Sequence, residues 1–343
     1  MPLVMGLVID IPAIVANWKA LAAMAPGARP AAVVKADAYG LGAERVAPAL
    51  YAAGARDFFV ALASEGRAIR SLLPEDARIF VLSGHMAGED LNGLVPLLNS
   101  PEQFFRDRAL RPRGAFGIQL DSGMNRLGLE PGEWAAIRAE ALATGPALVM
   151  SHLACADEPD HAANAQQLAA FRAMTEGVAA PRSLAATGGI LLGADYHFDL
   201  VRPGIGLYGG QPFAEARPVV ALALPVIQTR EVRPGESVGY GYAWTAVRPS
   251  RVATVAAGYA DGLARALARD GKLALWAEGR ACPVIGRISM DLITVDVTDL
   301  PDVPPALEIL NAHQGVDDLA ALSGTIGYEI LTSLGRRYER RWL

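Results

Sequence analysis

Lys35 closes a short apolar run, "AAVVK", and is followed at once by Asp37, Tyr39 and two glycines in "AVVKADAYGLG" (residues 32–42). A lysine at the end of a buried strand is costly unless its amine has a partner or a task. Four further positions carry polar residues at the ends of comparable runs: Asp121 with Arg126 after "GIQL", His152 after "LVMS", Thr187 after "SLAA" and Arg202 after "FDLV". Two glycine-bearing turns join them. "ATGGI" holds Thr187, Gly188 and Gly189, and "RPGIG" holds Gly204 and Ile205. Free backbone N–H groups in such loops suit a phosphate. Either loop alone reads as turn glycine. Combined with a strand-end lysine, they point to a phosphorylated ligand that also offers an aldehyde. Pyridoxal phosphate (PLP) needs a lysine Schiff base and a phosphate cradle in one pocket.

The remaining candidates carry less. His152 and Cys155 in "HLAC" lack the second pair of a tetrahedral metal site, so no metal is expected, His152 reads as a neighbour of the cofactor and Cys155 as packing. His85, His161, His197 and His313 fall among loop or helix-surface residues and receive no role. Residue chemistry alone does not single out Tyr240, because "GYGYAW" reads as a turn with a bulge.

These residues need elements to position them. From about residue 10 to residue 210, short apolar runs such as "DFFVAL", "RIFVLSG" and "ALVMSHL" alternate with helix-like segments such as "GAERVAPALYAAG" and "PGEWAAIRAEALATG". About eight strand-helix units predict an α/β fold with a closed (β/α)8 TIM barrel, whose strand C-termini build the active site. An open doubly wound sheet is the competitor, but no GxGxxG follows the first strand. After about residue 212, β-rich runs broken by Pro-Gly and Gly-rich turns predict a mainly β domain that ends in a short helix near "GYEILTSLG". The expected division is residues 1–212 and 213–343.

Composition narrows the class. The chain has 343 residues, 52% hydrophobic and 20% charged, with a net charge of -5. It suits a large folded core and argues against nucleic-acid binding. No stretch reaches the ~20 apolar residues of a membrane span. "MPLVMGLVIDIP" has no basic region ahead of its apolar residues, and two cysteines give no disulfide framework. A soluble, cytoplasmic protein is expected.

The motifs "AVVKADAYGLG", "LDSGMNRLG", "SHLACADE", "FDLVRPGIGLYG", "VGYGYAWTA", "AGYADGLAR" and "GRISMD", in that order, resemble those of the alanine racemase family. The resemblance spans nearly the whole chain. It implies an isomerase that interconverts L- and D-alanine with PLP as a homodimer with shared active sites, supplying D-alanine for cell-wall peptidoglycan. Lys35 is implied to anchor PLP and act as one base, with Tyr240, donated across the dimer interface, as the other. Tyr39, Thr187, Gly204 and Ile205 are implied to bind the phosphate, Arg202 to face the pyridine nitrogen, and His152 to lie near the ring. Arg126 and the Met290 backbone N–H are implied to hold the substrate carboxylate, while Tyr259, Arg265, Arg287 and Asp157 resemble residues of the access corridor.

The chemistry explains these types. Inverting a carbon centre removes a proton from one face and returns one to the other, so two bases on opposite sides suffice where one does not. An arginine opposite the pyridine nitrogen holds its proton and leaves that nitrogen unprotonated. A barrel-type PLP decarboxylase shares the two-domain plan but is expected to place an acidic residue there. Non-catalytic PLP barrels usually lack the β domain, and a phosphosugar enzyme leaves Tyr240 unexplained. Three departures from the family pattern stand out. Gln119 replaces a lysine that many members carbamylate and is expected to orient Arg126 through its side-chain oxygen. Leu41 replaces a histidine, and Arg336 replaces a pocket-narrowing tyrosine. The last keeps a broader amino-acid racemase, acting on serine or other small or basic amino acids, as the alternative.

Overall fold

Short parallel strands, most followed by a helix, recur through the first two-thirds of the computed structural model, which describes residues 6–343. Contacts divide the chain into two units, Ile14–Ala216 and residues 6–13 with Arg217–Leu343.

In the first unit a seven-stranded parallel sheet runs in chain order through Ala32–Val33, Asp57–Val60, Arg78–Val81, Val95–Leu98, Gly117–Gln119, Val149–Met150 and Arg182–Ser183. An eighth strand, Leu200–Val201, pairs in parallel with Arg29–Pro30, the run-up to the first strand. It also meets the seventh strand's continuation through the parallel bridge Ala186–Arg202. The barrel is thereby closed. "DFFV" and "VPLL" are buried at every position, the continuous apolar pattern of strands covered on both faces. Phe59 and Phe80, from adjacent strands, stack with centroids 4.9 Å apart. The helix Pro101–Leu110 begins at Ser100, whose hydroxyl accepts the Gln103 N–H at 3.3 Å. One expected unit is incomplete. The third strand is followed by turns, without a helix, until Val95.

The second unit is mainly β. Its 13-residue strand Val220–Val232 pairs antiparallel with Gly6–Ile9, Ser250–Ala256 and Ala306–Leu310, bending at two register shifts. Gly6–Ile9 also pairs in parallel with Glu339–Trp342. The expected division at 212 therefore misassigns residues 6–13, which supply a strand to the β unit; a four-residue apolar run carries no signal of its pairing partner. Residues 1–5 of the expected barrel segment lie outside the described residues. Two helices, Val316–Ser323 and Gly327–Ser333, close this unit, the first of them not foreseen. Among the described residues no helix is long and apolar enough to cross a membrane.

Candidate active site

The first strand ends in an unusual turn. After Lys35, four consecutive residues adopt left-handed backbone angles: Ala36 (φ 52°, ψ 46°), Asp37 (56°, 48°), Ala38 (53°, 51°) and Tyr39 (57°, 37°). None is glycine, and each costs about 1–2 kcal/mol there because Cβ crowds the following carbonyl. Hydrogen bonds offset this strain. The Ala38 N–H donates to Val34 O at 2.9 Å and the Gly42 N–H to Asp37 O at 2.9 Å. The Ala43 N–H donates to Asp37 Oδ1 at 2.7 Å, and the Ala36 N–H to Glu65 Oε1 at 2.8 Å. The Tyr39 ring packs on Tyr208 at 4.6 Å, and the Tyr208 hydroxyl donates to Val33 O at 2.9 Å. Tyr39 is thus turned inward beside the lysine that the strand delivers.

Partial burial holds the Lys35 amine below its ordinary pKa, the Arg126 and Arg202 cations push the same way, and Glu65 opposes them. His152 and Arg202, at the ends of the sixth and eighth strands, form a second cluster. Arg202 is 3% exposed. Its guanidinium donates to Ser151 O at 2.7 Å, Leu184 O at 3.2 Å and the Ser183 hydroxyl, and lies 3.4 Å from His152 Nδ1. Burial pushes it down to about 9, still well above neutrality, so it remains a cation. Burial and that cation push His152 down to about 3, leaving a neutral ring that accepts at Nδ1 and so carries its proton on Nε2.

The glycine loops converge as expected. The Thr187 hydroxyl accepts the N–H groups of Gly204 at 3.0 Å and Gly206 at 3.3 Å. A methyl group on Gly204 would stand 2.6 Å from the Tyr39 hydroxyl, so Tyr39 and Gly204 line one cradle. Ile205 is buried, yet its N–H donates to no group among the described residues, an arrangement that is costly without a ligand. With a lysine amine and a buried cation at neighbouring strand ends, these residues fit a phosphorylated aldehyde.

Arg126 is exposed on the loop after the fifth strand. Gln119 does not meet it as expected. Its Nε2 donates to Leu127 O at 3.3 Å, while Oε1 is buried and unpartnered among the described residues, so Gln119 grips the backbone beside Arg126 and not its guanidinium. Leu41 is fully buried, while Asp157 and Arg336 are exposed. His85 and His197 were misplaced by the sequence reading: both are buried, His85 against Asp107 at 2.9 Å and His197 against Ile190 O at 2.9 Å. Asp107 also takes Arg108 and Arg111. Nothing in the local sequence marked that charge cluster, whose members come from two separate segments.

The remaining candidates belong to the β unit. Tyr240 opens a short 3-10 turn after Ser237–Val238 and is 74% exposed. The Tyr259 N–H donates to Ser289 O and the Ala260 N–H to Met290 O, each at 3.0 Å, so the Tyr259 and Met290 loops are joined by their backbones. A Cβ on Gly258 would meet both acceptor oxygens at 2.3 Å, which is why glycine precedes Tyr259. The Met290 N–H itself has no acceptor among the described residues. Arg265 and Arg287 line one cavity of about 610 Å³ with Trp244 and Arg269.

Comparisons with known proteins agree along the whole chain. The profile described as "Alanine racemase, N-terminal domain" matches residues 9–212, and "Alanine racemase, C-terminal domain" matches residues 219–342. A protein named alanine racemase from Cereibacter sphaeroides is 62% identical over 342 residues, covering 98% of this chain and 97% of its own. Its counterpart from Jannaschia is 57% identical over 97% of each chain. Among solved structures, the Bartonella henselae alanine racemase with covalently bound pyridoxal phosphate is 38% identical, with TM-score 0.93 and 99% of each chain covered. The biosynthetic alanine racemase of Pseudomonas aeruginosa is 35% identical, with TM-score 0.89 over 99% of each chain. Matched end to end by both of its domains, this chain belongs to the alanine racemase family.

Proposed function

We propose that this chain interconverts L-alanine and D-alanine with PLP anchored on Lys35, using Lys35 and the partner's Tyr240 as its two bases. The observation that carries the reading is the pairing of a depressed lysine amine with a buried, permanently cationic Arg202 at adjacent strand ends, where the Val33 N–H donates to Pro203 O at 3.1 Å. PLP, when bound, acidifies the Cα–H of an attached amino acid. Lys35, its ammonium form disfavoured by burial, takes or returns the proton at Nζ on one face. The hydroxyl of Tyr240, exposed on its own chain, is available to serve a second copy on the opposite face.

Thr187, Tyr39, Gly204 and Ile205 hold the phosphate, with the buried Ile205 N–H as a ready donor. His152, neutral and fixed by Arg202, lies beside the ring. Arg202 keeps its own proton, which favours simple inversion over competing PLP reactions. Arg126 and the Met290 N–H hold the substrate carboxylate, neither having an acceptor among the described residues. Tyr259, Arg265, Arg287 and Asp157 border the access corridor. The enzyme works in the cytoplasm as a homodimer and supplies D-alanine for peptidoglycan. The relatives and solved structures compared above carry the narrow name, so the broader racemase is not favoured.

Purified enzyme incubated with single amino acids in D2O tests this. Alanine inverts and exchanges its α-proton at a rate at least tenfold above serine and lysine, and borohydride fixes the cofactor on Lys35. Comparable rates for all three amino acids would overturn the narrow assignment, and fixation elsewhere would overturn the role of Lys35.

A further inference from the structure

Glu65 belongs to none of the motifs that carry the family resemblance. It occupies the first turn of the helix Ala63–Arg70, just beyond the second barrel strand. One carboxylate oxygen, Oε2, accepts the N–H groups of Ala61 at 2.7 Å and Leu62 at 3.2 Å. That is the ordinary work of a glutamate at this helical position, which satisfies donors at the helix start. The other oxygen does something the helix does not need. Oε1 crosses to the end of the first strand and accepts the Ala36 N–H at 2.8 Å. Ala36 is the first of the four left-handed residues and directly follows Lys35.

We propose that Glu65 is a positioning residue: its two oxygens tie the ends of the first and second barrel strands together and hold the left-handed turn from which the Lys35 side chain emerges. The inference rests on the reading of Lys35 as the anchoring lysine and adds a residue to that site. The requirement is for two acceptors. Backbone donors stand on both sides of the carboxyl group, so only a carboxylate serves both. A glutamine keeps the shape but presents an NH2 group to one N–H, and an aspartate falls short of spanning both strands. The negative charge also favours the ammonium form of Lys35. The other groups acting on Lys35 are Arg126 and Arg202, and Lys35 in turn acts on His152, which is neutral. Among the described residues Glu65 is the carboxylate that shifts Lys35, and it opposes the two arginines.

Hydrogen exchange on the PLP-loaded enzyme tests the tie directly. In Glu65→Gln, amide exchange in residues 35–43 speeds up at least tenfold, while protection in the strands Val95–Leu98 and Gly117–Gln119 is unchanged. The limb of the kcat profile that reports Lys35, whose amine is released from the cofactor in the substrate complex, moves to lower pH, because a carboxylate that favoured the ammonium has gone. Glu65→Asp separates the two effects. It keeps the charge and loses the reach, so exchange in residues 35–43 still accelerates while the limb moves less than in Glu65→Gln. It also serves if Glu65→Gln fails to fold. Wild-type exchange in residues 35–43 in whichever variants fold, with an unmoved pH limb, would overturn the proposal. A Lys35→Ala control keeps it distinct from the reading beneath it. If that control still inverts alanine, the role of Lys35 is wrong, whereas the exchange result judges Glu65 alone.

Discussion

Lys35 sits among opposed charges, which adjust an amine pKa that burial lowers first. Arg126 is the larger of the two cationic influences after burial itself. A neighbouring cation disfavours an ammonium and lowers its pKa; removing it therefore raises the pKa. In Arg126→Met the Lys35 limb of the kcat profile moves to higher pH, the opposite direction from Glu65→Gln. KM for alanine rises as well, since the guanidinium proposed to meet the carboxylate is lost. Steady-state kinetics between pH 6 and 10 check both effects, and a limb displaced to lower pH would contradict the charge assignment. His152, held near 3, contributes no step to that profile within the range.

Loops, more than single side chains, position the residues of the β unit that are proposed to act in catalysis. Asp261 is fully buried and accepts from Arg337 Nε at 2.6 Å and Nη2 at 2.7 Å, while Arg337 Nη1 donates to Asp291 at 2.8 Å. Asp261 also accepts the Gly258 N–H at 2.9 Å. One arginine thus clips together the loops carrying Tyr259 and Met290. Arg337→Met leaves a buried carboxylate without its cation and lowers stability by about 1–3 kcal/mol, read from urea unfolding, with a higher KM for alanine. Arg337→Lys recovers only part, because an ammonium lacks the planar fork that matches a carboxylate. Much at this scale was legible beforehand. The runs "DFFV" and "VPLL" are apolar throughout and announce strands buried on both faces, and the lysine, arginine and glycine loops stand where such strands end. The left-handed quartet after Lys35 was not legible, because no glycine marks it; the bonds that hold it come partly from Glu65, 29 residues away. Gln119 was recognised but its contact was not, since its amide chose a backbone carbonyl over the guanidinium. The strand Gly6–Ile9 went astray for a similar reason: its partners lie more than 200 residues later in the chain.

The whole molecule leaves its second proposed base at the surface. Tyr240, Tyr242 and Val247 are 74%, 76% and 91% exposed, a clustering of large apolar groups that marks association surfaces more often than free ones. A twofold pairing of identical chains satisfies both copies at once. It is also what the proposed donation of Tyr240 from the β unit of one chain to the barrel of another requires. Complementation measures that exchange most directly. Lys35→Ala and Tyr240→Phe proteins, each inactive alone, are mixed under conditions that exchange subunits, and alanine racemisation is followed. Shared sites give every hybrid dimer one site with both native residues and one with neither, so activity returns. If each chain used its own Tyr240, every site would keep one lesion, and a mixture as inactive as its parents would contradict the account.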